Sequence, residues 1–83
     1  MKVKTILKMS AATKATVYEP IQTDNGEVLI DHNIDILKRS TKKITDTWFE
    51  YSSYVLLPEA VLNKEVDMIS TNSATAALVI YTK

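Results

Sequence analysis

ATVYEPIQTDNGEVLID, residues 15–31, is the stretch on which the fold turns. Its centre, Thr23–Gly26, reads Thr-Asp-Asn-Gly and holds the only glycine of the chain. Asn and Gly tolerate the positive φ that a tight hairpin turn demands. On the N-terminal side, Ala15 and Val17 alternate with Lys14, Thr16 and Tyr18. On the C-terminal side, Val28 and Ile30 share a face. A two-residue period flanking a turn signal predicts a β-hairpin. Pro20 donates no ladder hydrogen bond, so it is expected to end the first strand or to mark an edge.

Outward from this hairpin, the C-terminal third gives a second one. PEAVLN places Pro58 at a first helical position, Glu59 in the first turn and Asn63 as a stop, which predicts one or two helical turns. KEVDMIS alternates Val66 and Met68 with Glu65 and Asp67. TNSA is a polar turn. TAALVIYT is apolar on both faces, as in a strand inside a sheet or covered on both sides. At the N-terminus, Val3, Ile6, Leu7 and Ala11 fit a helical face. Met1, Val3, Thr5, Leu7 and Met9 fit strand alternation almost as well. The helical reading keeps Lys2, Lys4 and Lys8 mostly off the apolar side and is preferred.

Residues 33–54 are the most ambiguous. NIDILKRS reads as a short helix with Asn33 as cap and Ile34 and Leu37 inward. ITDTWFEYSSYV fits a helix through Ile44, Trp48, Tyr51 and Val55, but its composition is that of a strand, and an extended segment around Thr47–Tyr51 is expected. The fold expected from these elements is α+β, a small antiparallel sheet of four or five strands built from two hairpins, with short helices on one face.

The chain has 83 residues, 46% of them apolar and 24% charged. That fits one small globular domain, residues 1–83, which buries roughly 60–65% of its unfolded surface. There is no cysteine, hence no disulfide and no thiolate ligand. Lysines interrupt the N-terminal apolar residues before a signal sequence can form, and the longest apolar run, residues 76–81, is far too short for a membrane span. A cytoplasmic protein without membrane contact is expected. Formal net charge is zero, yet residues 1–43 carry eight basic and five acidic side chains, whereas residues 44–83 carry two and five. Such a division describes either two solvated faces or a dipolar surface that orients a partner.

The usual catalytic groupings are missing. His32 is the only histidine. DHNID around it spaces Asp31, Asn33 and Asp35 like the opening of a calcium loop, but Ile36 stands where the loop needs glycine and Lys42 where it needs glutamate. No serine sits in a glycine-flanked elbow, and one glycine cannot build a phosphate-cradling loop. Glu65 and Asp67 fall on the solvent side of their strand. The expectation is a protein that is not an enzyme and carries no cofactor or metal.

What remains is the segment 38–54. Trp48, Phe49, Tyr51 and Tyr54 are four of the six aromatic residues, within seven positions. Arg39, Lys42 and Lys43 precede them. Three readings stand. The aromatics build the core, since one buried aromatic contributes about 150–250 Å². Or they form a protein-contact surface, because in a strand Trp48 and Phe49 point to opposite faces and one is exposed. Or the segment binds single-stranded nucleic acid, with lysine and arginine on phosphate and Trp48 stacking on a base. The near-neutral isoelectric point weighs against the last.

The order of ILKM, ATVYE, NGEVLI, VLNKEVDMI and LVIY resembles that of small uncharacterised proteins of phages and mobile elements in low-GC Gram-positive bacteria. The likeness covers roughly residues 3–32 and 56–82, and residues 34–54 stand as an insertion. It implies a phage-like origin and a small α+β fold. In that context the lack of catalytic groups, the divided charge and the Trp48–Tyr54 cluster lead to the expectation of a phage-type accessory protein, in the host cytoplasm, that binds another protein such as a host factor or defence component. A structural virion component is the further alternative. The likeness carries over no functional residue. A homodimer is also expected, through a sheet edge left open by the C-terminal strand.

Overall fold

The computed structural model describes residues 1–38 and 41–83. Arg39 therefore lies outside the described residues. A helix α1 (Val3–Met9) leads into strands β1 (Lys14–Thr23), β2 (Gly26–Asp35), β3 (Lys42–Thr45) and β4 (Trp48–Tyr51). A 3-10 turn (Tyr54–Leu56) and the single-turn helix α2 (Glu59–Leu62) follow, then β5 (Val66–Asn72) and β6 (Ala77–Thr82). All six strands form one sheet in the order β3-β4-β2-β1-β6-β5.

This corrects the expected architecture of four or five antiparallel strands. The sheet has six strands and is mixed: β1 pairs parallel with β6, and β2 parallel with β4. Residues 33–54 supply the difference. NIDIL forms no helix; β2 runs on to Asp35, because Ile34 is buried opposite Ala15 in the core. The strand stops where Asp35 turns the chain, its Oδ1 accepting from the Leu37 N–H at 2.9 Å and its carbonyl from the Lys38 N–H at 3.0 Å. β3 and β4 then form a small antiparallel pair that returns beside β2.

The β1–β2 hairpin turns at Asp24–Asn25, between Thr23 and Gly26. Of these turn residues only Gly26 takes a positive φ, 110°. The Thr23 hydroxyl closes the turn, donating to the Gly26 carbonyl at 2.6 Å. Pro20 lies inside β1, yet β6 accompanies β1 only over residues 15–18. At Pro20 the strand has a neighbour on one side alone, and the missing N–H breaks no ladder.

One sheet face is covered. Val3 and Leu7, four residues apart on α1, pack with Leu57, Val61 and Leu62 against Ala15, Val17, Ile34, Tyr51 and Ile80. Val3, Val17 and Ile80 are fully buried. Among the described residues the other sheet face carries no helix. The C-terminal strand β6 lies inside the sheet, between β1 and β5, so the edge expected there belongs instead to β5, with β3 at the far side.

Candidate interaction surface

Strand alternation sorts the side chains of the aromatic segment between the two faces. On the covered face, Phe49 is opposite His32, and Tyr51 opposite Ile34. The rings of His32 and Phe49 stack at 5.6 Å, and Phe49 and Tyr51 at 6.4 Å. His32 is buried, with Nδ1 2.9 Å from the Tyr51 hydroxyl and Nε2 3.0 Å from Glu19 Oε1. A carboxylate oxygen only accepts, which places the ring proton on Nε2; in the neutral ring Nδ1 then accepts the Tyr51 O–H. Burial pushes the Tyr51 hydroxyl above its ordinary pKa, and Glu19 adds to that shift. The lone histidine is thus a satisfied member of the core. Only 3% of its surface is exposed.

The uncovered face is different. Trp48 is opposite Asp31, Asp31 opposite Tyr18, Tyr18 opposite Tyr81, and Tyr81 opposite Met68. One row thus crosses five strands, β4-β2-β1-β6-β5. Tyr18 and Tyr81 stack with ring centroids 5.2 Å apart. Trp48 is 44% exposed and Met68 53% exposed, so both ends of the row are open. Asp31, between Trp48 and Tyr18, is half-buried. Burial raises its carboxyl above the usual carboxylate range, with His32 acting in the opposite direction. Among the described residues no side chain hydrogen-bonds to this carboxylate or pairs with it as a cation.

The next row is polar. Lys42, Glu50, Asn33 and Thr16 stand opposite one another in turn. Thr16 Oγ1 donates to Asn33 Oδ1 at 2.9 Å, and Asn33 Nδ2 donates to the Phe49 carbonyl at 3.3 Å. These bonds hold the three central strands in register beside a hollow of about 210 Å³ that reaches from Lys14 and Asp35 to Trp48 and Glu50.

The sequence-derived candidates therefore separate. Trp48 and Lys42 face the open side. Phe49, Tyr51 and Tyr54 pack on or against the core. Lys43 stands 5.9 Å over the Phe49 ring and bonds Asp46 at 3.2 Å. Tyr18, Asp31 and Tyr81 were not among the candidates. Their alternation put Tyr18 on the side away from Ala15 and Val17, but nothing local shows which strands lie beside it. Asp31, Asn33 and Asp35 occupy successive rows of one strand face and do not converge. Among the described residues no three histidine, aspartate or glutamate side chains are grouped for a metal ion. Among the described residues no helix is long and apolar enough to cross a membrane. Comparison with protein families, with curated proteins and with solved structures finds no match to this chain.

Proposed function

We propose that this protein acts, without catalysis, by binding another protein through the uncovered face of its sheet, with the Trp48–Asp31–Tyr18–Tyr81 row as the contact. The observation that carries this reading is the half-buried carboxylate of Asp31, which has no side-chain partner among the described residues and lies between two aromatic side chains. Aromatic faces and a desolvated carboxylate together attract a cationic side chain. The partner segment proposed is one that presents an arginine or lysine beside apolar residues, the cation seated at Asp31 and the apolar groups against Trp48 and Met68. In the setting that the resemblance implies, this is a phage-type accessory protein directed at a host factor or defence component.

Single-stranded nucleic acid is the competing occupant, since a sheet face with aromatic rings can stack bases. Charge argues against it. Lys14, Lys38 and Lys42 border the face, but Asp31, Asp35 and Glu50 stand among them. Phosphate approaching the aromatic row would meet carboxylate within it.

Trp48 is the only tryptophan, so its fluorescence reports from the site itself. Titration with a short peptide carrying arginine between apolar residues is expected to change that emission saturably. The response should vanish in Asp31→Asn and with an aspartate-for-arginine peptide. Saturable, steeply salt-dependent quenching by a single-stranded oligonucleotide, with none by the peptide, would overturn the reading in favour of nucleic acid.

A further inference from the structure

The two edges of the sheet are not alike. β3 has four residues, carries Lys42 and Lys43, and is irregular between Lys43 and Thr45. Short length, lysine and irregularity are the devices that keep an edge strand from pairing with another chain. β5 has seven residues, Val66–Asn72, with neither lysine nor proline. Its own register shift, between Val66 and Met68, lies at its start and leaves residues 68–72 in continuous register with β6. Its start is occupied: the Val66 N–H donates to the Met1 carbonyl at 2.9 Å, and the Val3 N–H to the Lys64 carbonyl at 3.0 Å. Beyond that point, residues 67–72 have β6 as their strand neighbour on one side and, among the described residues, none on the other.

A second observation lies beside this edge. Ile69 is opposite Ile80, which directs it to the covered side of the sheet. There, with Ile6, Met9 and Leu78, it borders an apolar hollow of about 360 Å³. Ile69 is 48% exposed and Met9 75% exposed. The open strand and the uncovered apolar surface therefore share one flank of the molecule.

We infer that this flank is the interface of a homodimer, in which β5 pairs antiparallel with β5 of a second copy and the two sheets join into one. The occupant is a second copy because the edge complements itself. Its charges, Lys64, Glu65 and Asp67, lie at one end, while residues 70–76 are uncharged. A two-fold axis at Ser70 sets Ile69 against the partner's Thr71 and Met68 against the partner's Asn72. The charged end of each strand then meets the neutral end of the other, so no like charges oppose. The same axis brings the two Ile69–Leu78 hollows together across the seam. A domain this small gains a larger buried core by such pairing. This surface meets the aromatic row only at Met68, the residue with which that row ends on β5, and the cross-link and the peptide titration read the two proposals separately.

The chain has no cysteine, which makes cross-linking specific. Ser70→Cys puts one thiol on the proposed axis, where antiparallel strands bring Cα atoms to about 4.5–5.5 Å, within the range a disulfide spans. Under mild oxidation Ser70→Cys is expected to form a covalent dimer, and Thr45→Cys on β3 is not. Light scattering of the unmodified chain should give twice the 9.3 kDa chain mass at high concentration, and Ile69→Lys should return it to the monomer mass with the same circular dichroism. If Ile69→Lys unfolds the chain, the cross-link decides. A monomer mass at every concentration, or cross-linking that is as efficient through Thr45→Cys as through Ser70→Cys, overturns the inference.

Discussion

The hydroxyl of Tyr51 and Nδ1 of His32 meet at 2.9 Å beneath the helices, while the other ring nitrogen of His32 holds Glu19 at 3.0 Å. β1, β2 and β4 are thus joined by side chains as well as by their ladders. Such a chain of buried bonds is valuable when complete and costly when cut, because the severed group keeps its desolvation penalty. Tyr51→Phe is expected to lower unfolding free energy by about 1–3 kcal/mol, by leaving Nδ1 without its partner. Combining it with His32→Leu should cost less than the two single changes added together, since the shared bond can be lost only once. Urea denaturation of the four proteins tests this. Strict additivity would show that the pair is not coupled.

The same sheet makes stability depend on pH from the opposite face. The folded pKa of Asp31 is raised, with burial as the main cause. For a raised carboxyl the folded state favours the protonated form. Its contribution is fully present below the ordinary value of 3.8 and is lost as pH rises through the folded value. Ionised Asp31 therefore weakens the free protein at neutral pH. Asp31→Asn should raise the melting temperature there, and that advantage should shrink as the pH approaches 3.8. Tyr18 and Tyr51 are also raised, again chiefly by burial, so their contribution is complete below 10.0 and declines above it. Melting curves across the pH range check both arms. An Asp31→Asn protein less stable than the parent at neutral pH would contradict the first.

Two turns can be tuned in opposite directions. Gly26 takes φ of 110°, and a Cβ there would meet nothing within 4 Å. The cost of Gly26→Ala is then backbone strain alone, about 1–2 kcal/mol. Ala76, in the turn between β5 and β6, sits at φ 54°, which glycine adopts more readily. Ala76→Gly should stabilise by about 0.5–1 kcal/mol, the relief of the left-handed penalty being partly offset by a more flexible unfolded chain. Chemical denaturation of both variants reads the two signs. A stabilising Gly26→Ala would mean that the turn adopts another conformation.

These elements differ in how far the sequence announces them. Asp24–Asn25–Gly26 is a local signal, and the chain turns there. The two-sided apolarity of Leu78–Tyr81 suits the interior place of β6, but it did not separate that place from the open edge expected of the same strand. The extended character of Trp48–Tyr51 follows from its bulky and aromatic side chains. Asn33 and Ile34 misled, because a polar residue followed by apolar ones at helical spacing resembles a capped helix. The burial of Ile34 against Ala15 overrides that local preference. The parallel pairings of β1 with β6 and β2 with β4 leave no periodic trace at all. Tyr18, Asp31, Trp48 and Tyr81 become one row only through those pairings, so most of the candidate surface was illegible before the strand order was known.

The split between Trp48 and Phe49 gives the most direct test of the two faces. Trp48 packs on an uncovered sheet and leaves 44% of its surface in solvent, whereas Phe49 lies against His32 and Tyr51 beneath the helices. Trp48→Ala removes a side chain that is 44% exposed and leaves no enclosed gap, and should cost about 1–2 kcal/mol, less than Phe49→Ala. Phe49→Ala opens a gap beside a polar network and should cost about 2–4 kcal/mol, somewhat less than a fully enclosed phenylalanine because Phe49 is only half-buried. Trp48 emission in the free protein should be red-shifted and readily quenched by acrylamide. If Trp48→Ala instead unfolds the chain while Phe49→Ala is tolerated, the two faces have been exchanged: the aromatic row is core, and it cannot serve as the contact surface for a partner.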